Sequence, residues 1–208
     1  MTIAILGSGS VGSALGGRLA AAGIDVIFGA RDPKAPSGEL PAGTQVRSIP
    51  DAVAAASLVL LAVPAAAALA TARAAGDLTG KILVDCTNPL SFDALGPVWT
   101  PPVEGSGAQA LAAALPGVRV VKAFNHFGAE IHGNPRVAGG AADALVAGDD
   151  AAARAAVVDL ANRIGFHGVD AGPLRNAGLL ENLAILWIHL AVKGGLGRQF
   201  AFRGEVRD

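Results

Sequence analysis

The sequence predicts an α/β protein: a Rossmann-type doubly wound, mostly parallel sheet followed by a small C-terminal helical or α+β extension. Three observations carry that expectation. Short β-branched runs alternate with longer alanine-rich segments along the whole chain, the signature of successive βαβ units. The most apolar run, Leu58 to Val63, is continuous rather than alternating, as expected of a strand buried on both faces. Finally, the composition is 52% hydrophobic but only 4% aromatic, which suits helices of small side chains lying flat on a sheet. The chain of 208 residues is long enough to bury one sizeable core. The expected division is a Rossmann unit over residues 1–140 and a smaller C-terminal part over 141–208.

In order, Ile3 to Leu6 reads as a buried strand, Val11 to Ala22 as a helix ended by Gly23, and Asp25 to Phe28 as a second strand. Residues 33–48 contain Pro, Gly and Ser and read as an irregular loop, with a short strand near Thr44 to Arg47. Asp51 is expected to cap a brief helix reaching Ala56. Leu58 to Val63 is a central strand, Ala65 to Ala75 a helix and Lys81 to Asp85 a strand. A long loop is expected from Thr87 to Gly107. Helix Ala108 to Leu115 and strand Arg119 to Phe124 follow, then an irregular stretch through residues 132–140. Ala144 to Ala147 reads as strand, Asp150 to Ile164 as helix, Gly168 to Asp170 as strand and Leu174 to Leu196 as a closing helix.

Composition excludes several classes of function. The net charge is −1 with no long block of one sign, so there is no electrostatic footprint for nucleic acid. The longest apolar run, Leu58 to Ala72, is broken by Pro64, whereas a membrane span takes about 20 uninterrupted apolar residues. The single cysteine, Cys86, has no intramolecular partner and suits a reducing compartment. Met1 leads into Thr2-Ile3-Ala4-Ile5 without a basic region or cleavage pattern, so a cytoplasmic protein is expected.

The strongest local signal is Gly7-Ser8-Gly9-Ser10-Val11-Gly12, placed between a strand and a helix as a dinucleotide-binding fingerprint requires. Gly7 permits the sharp turn, Gly9 lets backbone approach a pyrophosphate, and Gly12 lets the helix pack close to the strand. Free N–H groups at the helix start then meet the phosphate charge. The second strand ends Phe28-Gly29-Ala30-Arg31, with Lys34 nearby. An Asp or Glu at that strand end would bond a ribose 2′-hydroxyl, whereas a guanidinium grips a 2′-phosphate. NADP(H) is therefore expected over NAD(H), with Asp32 facing away.

Three later strand ends also point toward the cofactor, because ligands sit at the carboxyl ends of parallel strands. They are Val63-Pro64, Thr87-Asn88-Pro89 and Ala123-Phe124-Asn125. The amides of Asn88 and Asn125 are candidates for the ribose or the nicotinamide carboxamide.

These blocks, together with Leu61-Ala62-Val63-Pro64, Val84-Asp85-Cys86-Thr87-Asn88-Pro89-Leu90, Val121-Lys122-Ala123-Phe124-Asn125, Ala147-Gly148-Asp149-Asp150 and Asp170-Ala171-Gly172-Pro173-Leu174, resemble the NADPH-dependent coenzyme F420 reductases. They are also similar to the oxidoreductase domain of the STEAP metalloreductases. The resemblance extends to about Phe202. It implies NADP(H) held by Ser8 to Gly12, Arg31 and Lys34, by Pro64 to Ala68, and by Asn125 to Ala129. It also implies a homodimer, and hydride transfer to a deazaflavin such as F420, or to a flavin such as FMN or FAD, stacked near Asn125 and the Gly148 and Pro173 turns. His126-Phe127-Gly128 and Asn134-Pro135-Arg136 depart from that pattern, both on the acceptor side.

No nucleophile triad, paired carboxylates or clustered metal ligands are visible in the sequence. Hydride transfer between two cofactors needs alignment and water exclusion more than a resident acid or base. His126, just after a strand end, is the one candidate general acid, set against a reading as a polar pocket wall. His132 and His167 are expected at the surface or in turns, and His189 is structural. Cys86 is expected to be buried, Asp149 and Asp150 to cap a helix, and Glu181 to pair with Arg175 or a loop amide. The closing helix is apolar on two faces, one with Leu179, Leu183, Leu186 and Leu190, the other with Leu180, Trp187 and Ala191. A homodimer through it is expected. Three functions remain open: a reductase of a deazaflavin or flavin, a reductase of a small carbonyl or imine, and a non-catalytic NADPH-binding protein.

Overall fold

The computed structural model describes residues 1–34, 40–205 and 207. β1 (Thr2–Leu6) leads into α1 (Ser10–Ala21), β2 (Asp25–Ala30), β3 (Gln45–Ser48), α2 (Ile49–Ala54), β4 (Leu58–Leu61), α3 (Ala65–Arg73) and β5 (Ile82–Asp85). Then come β6 (Leu90–Asp93), β7 (Gly96–Trp99), α4 (Gly107–Ala114), β8 (Arg119–Lys122), α5 (Ala129–Gly133), β9 (Arg136–Val137) and β10 (Gly140–Ala141). The chain closes with β11 (Asp143–Gly148), α6 (Ala151–Arg163), β12 (His167–Asp170), a 3-10 turn at Leu174–Asn176 and α7 (Ala177–Val192).

The main sheet has eight strands in the order β12-β11-β8-β5-β4-β1-β2-β3. From β3 to β8 every pairing is parallel. The winding reverses between β1 and β4, which makes the crevice above their carboxyl ends the place for a ligand. β11 joins β8 antiparallel, and β12 runs parallel to β11. β11 and β12 therefore extend the same sheet.

Each central strand is buried on both sides, so its side chains divide between two cores. Ile3, Ile5, Leu58, Leu60, Ile82 and Val84 belong to one, and Ala4, Leu6, Val59, Leu61 and Leu83 to the other. The scarcity of aromatics is reflected in the helix packing. A Cβ at Gly16 of α1 would sit 2.5 Å from the Phe28 ring, so the helix rides on β2 at a distance only glycine allows.

Four local readings are corrected. Ser48, not Asp51, caps α2: its Oγ accepts the Asp51 N–H at 3.3 Å. The Thr87–Gly107 segment is not a bare loop but contains the antiparallel β6–β7 hairpin, closed by Asp93 Oδ1 accepting the Leu95 and Gly96 N–H groups at 2.8 and 3.0 Å. The stretch 132–140 holds the end of α5 and the β9–β10 pair. The closing helix starts three residues later than expected, behind the 3-10 turn, and ends at Val192. Within the expected loop 33–48, residues 35–39 lie outside the described residues.

Candidate functional site

A cleft of about 960 Å³ opens at the reversal point, between the ends of β1, β2 and β4 and the face of α3. Its floor is the glycine turn. Gly7 has φ +114°, and a Cβ there would collide with the Ala62 carbonyl. A Cβ at Gly12 would collide with the Gly7 carbonyl. Both glycines are demanded by the protein's own packing. Gly9 is different: a Cβ there would meet nothing within 4 Å. Its missing side chain matters only to whatever enters the cleft.

Gly9 is also the cap residue of α1, and no side chain caps that helix. No acidic residue occupies its first turn. A helix start of this kind presents N–H groups and partial positive charge to an anion. The residues present therefore fit a diphosphate.

Of the sequence candidates, Gly7, Ser8, Gly9, Ala30, Arg31, Val63 and Pro64 line the cleft. Ser10, Val11 and Gly12 form the first turn of α1 behind them. Asp32 does not face away: it lines the cleft beside Arg31, with its Oδ1 taken by the Lys34 N–H at 3.0 Å. Lys34 is exposed beside the residues left undescribed and is not in the cleft wall. Ala68 is displaced from its expected role. It is buried and lines a second, apolar cavity of about 440 Å³ together with Pro89. From the expected segment Pro64 to Ala68, Ala67 faces the cleft, together with Ala70, Thr71 and Ala74, residues one helical turn apart. That spacing was readable in the sequence once a helix was expected there.

Beyond the cleft, the ends of β5 and β8 carry the two asparagines. They bind each other. Asn125 Nδ2 donates to Asn88 Oδ1 at 2.8 Å, and Asn88 Nδ2 donates to the Asn125 carbonyl at 2.8 Å. Asn125 Nδ2 also reaches the Leu180 carbonyl at 3.0 Å. Ala129 opens α5, whose residues pack against α1.

His126 is 1% exposed and lines neither cavity. Its Nε2 lies 2.9 Å from the Asp143 carbonyl, and its Nδ1 is 3.4 Å from Asn125 Oδ1. Burial pushes its pKa down to about 4 against the pull of that carbonyl, so the ring is neutral near pH 7. The acid role expected of it is not supported by this geometry. His132, expected at the surface or in a turn, is fully buried in α5. Its two nitrogens lie 2.8 Å from the Gly128 carbonyl and 2.9 Å from that of Phe124, and burial lowers its pKa as well. His132 Nε2 thereby anchors the carbonyl of Phe124, a buried non-glycine residue at φ +55°, a conformation that costs about 1–3 kcal/mol.

The sequence reading missed Lys122. It is fully buried, with Nζ 2.8 Å from Asp85 Oδ2 and 2.9 Å from Glu181 Oε1. Burial alone would lower its pKa, but Asp85 and Glu181 outweigh it and hold the ammonium charged. The register pairs Asp85 with Lys122 across adjacent strand ends, a pairing that only the structure reveals. Glu181 takes a main-chain amide, but at the start of α4 and not in a loop, the Gly107 N–H at 3.0 Å, and its cation is Lys122 and not Arg175. Burial pushes the Cys86 thiol far up, leaving it unreactive. Asp150 caps α6 through the Ala153 N–H at 2.7 Å, whereas Asp149 accepts the Leu174 N–H at 2.9 Å. No described helix is long and apolar enough to cross a membrane.

A doubly wound sheet with this glycine turn and cleft at its reversal point defines a dinucleotide-binding protein of the Rossmann class. Residues 2–89 match the family described as NADP oxidoreductase, coenzyme F420-dependent. The chain is 34% identical to the F420-dependent NADP reductase of Methanothermobacter thermautotrophicus over 93% of its own length and 90% of that protein's. It is 33% identical to the metalloreductase STEAP3 of Rattus norvegicus, of which it spans 36%. A crystal structure from Arthrobacter sp. FB24, assigned by its description to F420-dependent NADP reductases, superposes with TM-score 0.89 and 35% identity over 99% of this chain and all of that one. The chain belongs to the F420-dependent NADP reductase family, a family of NADP-dependent oxidoreductases.

Proposed function

We propose that this protein binds NADP(H) in the cleft and transfers hydride between it and a ring acceptor of the deazaflavin or flavin type, such as coenzyme F420. The carrying observation is Gly9, whose side-chain space is open at the uncapped start of α1, in one cleft with Arg31. In this reading Gly7 to Gly12 receive the diphosphate and Arg31, with Lys34 near it, the 2′-phosphate. Ala30, Val63, Pro64 and the α3 face flank the adenosine, with Ala68 behind them. Asn88, Pro89, Asn125 and Ala129 border the nicotinamide half. The bound dinucleotide supplies the hydride, and the chain supplies alignment.

The position of His126 favours a ring acceptor over a small carbonyl or imine. Reducing a carbonyl places charge on one oxygen that needs a proton donor, whereas an extended ring spreads that charge. FMN or FAD would satisfy the same chemistry as F420. Residues 141–208 are proposed to complete the acceptor side and, through α7, a homodimer. Leu180, Trp187 and Ala191 face the core, while Leu179 (67% exposed) and Leu186 (48% exposed) face solvent, an apolar stripe suited to a second copy. Light scattering after size exclusion checks the dimer, and a monomer overturns it.

The decisive assay mixes the protein with NADPH and, separately, F420, FMN or a panel of small carbonyls and imines. Oxidation of NADPH with F420 or flavin alone is expected. Turnover only with the small substrates would replace this reading by the carbonyl or imine reductase. NADPH binding without turnover of any acceptor would leave a non-catalytic binding protein.

A further inference from the structure

We propose that Lys122 is a positioning residue for the strand ends that border the nicotinamide beyond the cleft, acting through Thr87 and the Asn88–Asn125 pair; this rests on the reading that NADP(H) occupies the cleft. Lys122 is fully buried and touches neither cavity, so it acts through other groups. Its Nζ donates three bonds at once, to Asp85 Oδ2 at 2.8 Å, Glu181 Oε1 at 2.9 Å and the Thr87 carbonyl at 2.5 Å. The Thr87 N–H meanwhile donates to Asp85 Oδ1 at 2.9 Å. Both peptide groups of Thr87 are therefore pinned to the same pair of charges, which fixes the direction in which the chain leaves β5.

The next residue is Asn88, whose side chain exchanges two 2.8 Å bonds with Asn125 after β8. A buried charge cluster thus sets the turn after β5, and that turn sets the one after β8. Glu181 extends the hold to two more segments. Its Oε2 accepts the Trp99 Nε1–H at 3.0 Å, and its Oε1 the Gly107 N–H at 3.0 Å. Replacing a buried ion cluster by apolar side chains is often neutral or stabilising. What apolar side chains do not supply is a donor for the Thr87 carbonyl. The adenosine half of the cleft shares none of these contacts.

The two halves can be read separately. Adenosine 2′,5′-bisphosphate probes the adenosine half alone, and NADP⁺ probes both. The double variant Lys122→Met/Glu181→Gln removes one charge of each sign, leaving the buried net charge unchanged. It is expected to bind the bisphosphate within about twofold of the unaltered protein. Its affinity for NADP⁺ should fall about tenfold, and the fluorescence of bound NADPH, which reports the surroundings of the nicotinamide, should revert toward that of free NADPH. Asn88→Ala, which leaves the charge cluster intact, is expected to show the same selective loss and serves if the double variant does not fold. Equal losses for both ligands, or no loss for either, would overturn the positioning role. Failure of the unaltered protein to bind the bisphosphate would instead overturn the NADP(H) reading, and this proposal with it.

Discussion

The two halves of the candidate site are built by different means. The half proposed for the adenosine is backbone and steric space: a glycine turn, an uncapped helix start and an alanine-rich helix face, with the exposed Arg31 and Asp32 at its edge. The half proposed for the nicotinamide is a closed polar framework in which Asn88, Asn125, His126 and His132 spend their hydrogen bonds on one another or on main chain, and Lys122 spends its own on Asp85, Glu181 and the Thr87 carbonyl. The first is preformed by what is missing, the second by what is paired. Substitutions at Gly9 or Arg31 in the first should therefore weaken binding and spare stability, unlike those at the tightly packed Gly7 and Gly12. Those in the second should strike stability or alignment.

The largest expected effect is in the paired half. Lys122→Met alone strands two buried carboxylates and should lower unfolding free energy by about 3–5 kcal/mol, read from denaturant midpoints. A loss below 1 kcal/mol would mean the cluster is not as dry as its burial indicates. Next is Arg31→Ala in the open half. Losing charge-assisted bonds to a 2′-phosphate should weaken NADPH binding about tenfold to a hundredfold, with NADH affinity and melting temperature unchanged. Equal loss for both nucleotides in calorimetry would remove Arg31 from the 2′-phosphate site.

The buried histidines sharpen the contrast through pH. His126 binds its proton with a pKa near 4 in the folded chain against 6.5 in the unfolded one, so between those values the unfolded state takes up more protons. Its contribution is complete above pH 6.5 and is lost as pH falls toward 4. Between pH 7 and 5 this amounts to about 2 kcal/mol, and His132, shifted the same way, adds to it. Denaturant midpoints at the two pH values check this, and a pH-independent midpoint would contradict the burial of both rings. The smallest effect is Gly9→Ala. Its Cβ meets no protein atom within 4 Å, so stability should stay within about 0.5 kcal/mol while NADPH affinity drops about tenfold. A stability loss with intact binding would reverse the assignment of that space to a ligand.

Legibility in the sequence divides along the same line. Leu58–Leu61 and Ile82–Asp85 announced themselves as apolar runs, and the glycine turn was visible because its spacing and its context are local. The cleft face of α3 is readable in period: of the expected segment Pro64 to Ala68, Pro64 and Ala67 line the cleft, and the face runs on to Ala70, Thr71 and Ala74, beyond the end of that segment. The β6–β7 hairpin was missed although Asp93 and Gly96 mark its turn, because proline and glycine on both sides read as loop. His126 looked like an acid because it follows a strand end. Only the packing of β11, which puts the Asp143 carbonyl on its Nε2, turns it inward.

By itself the sequence determined the strand-helix alternation, the two-faced burial of the central strands and the phosphate-binding turn, since each depends on residues within a few positions of one another. The tertiary structure alone decided the partners of the polar groups. Lys122 meets Glu181 across 59 residues and Asn88 meets Asn125 across 37, and no periodicity along the chain encodes such distances. Local pattern sets which surfaces must be covered. Which charges are then forced to satisfy one another follows from how the covered elements come together.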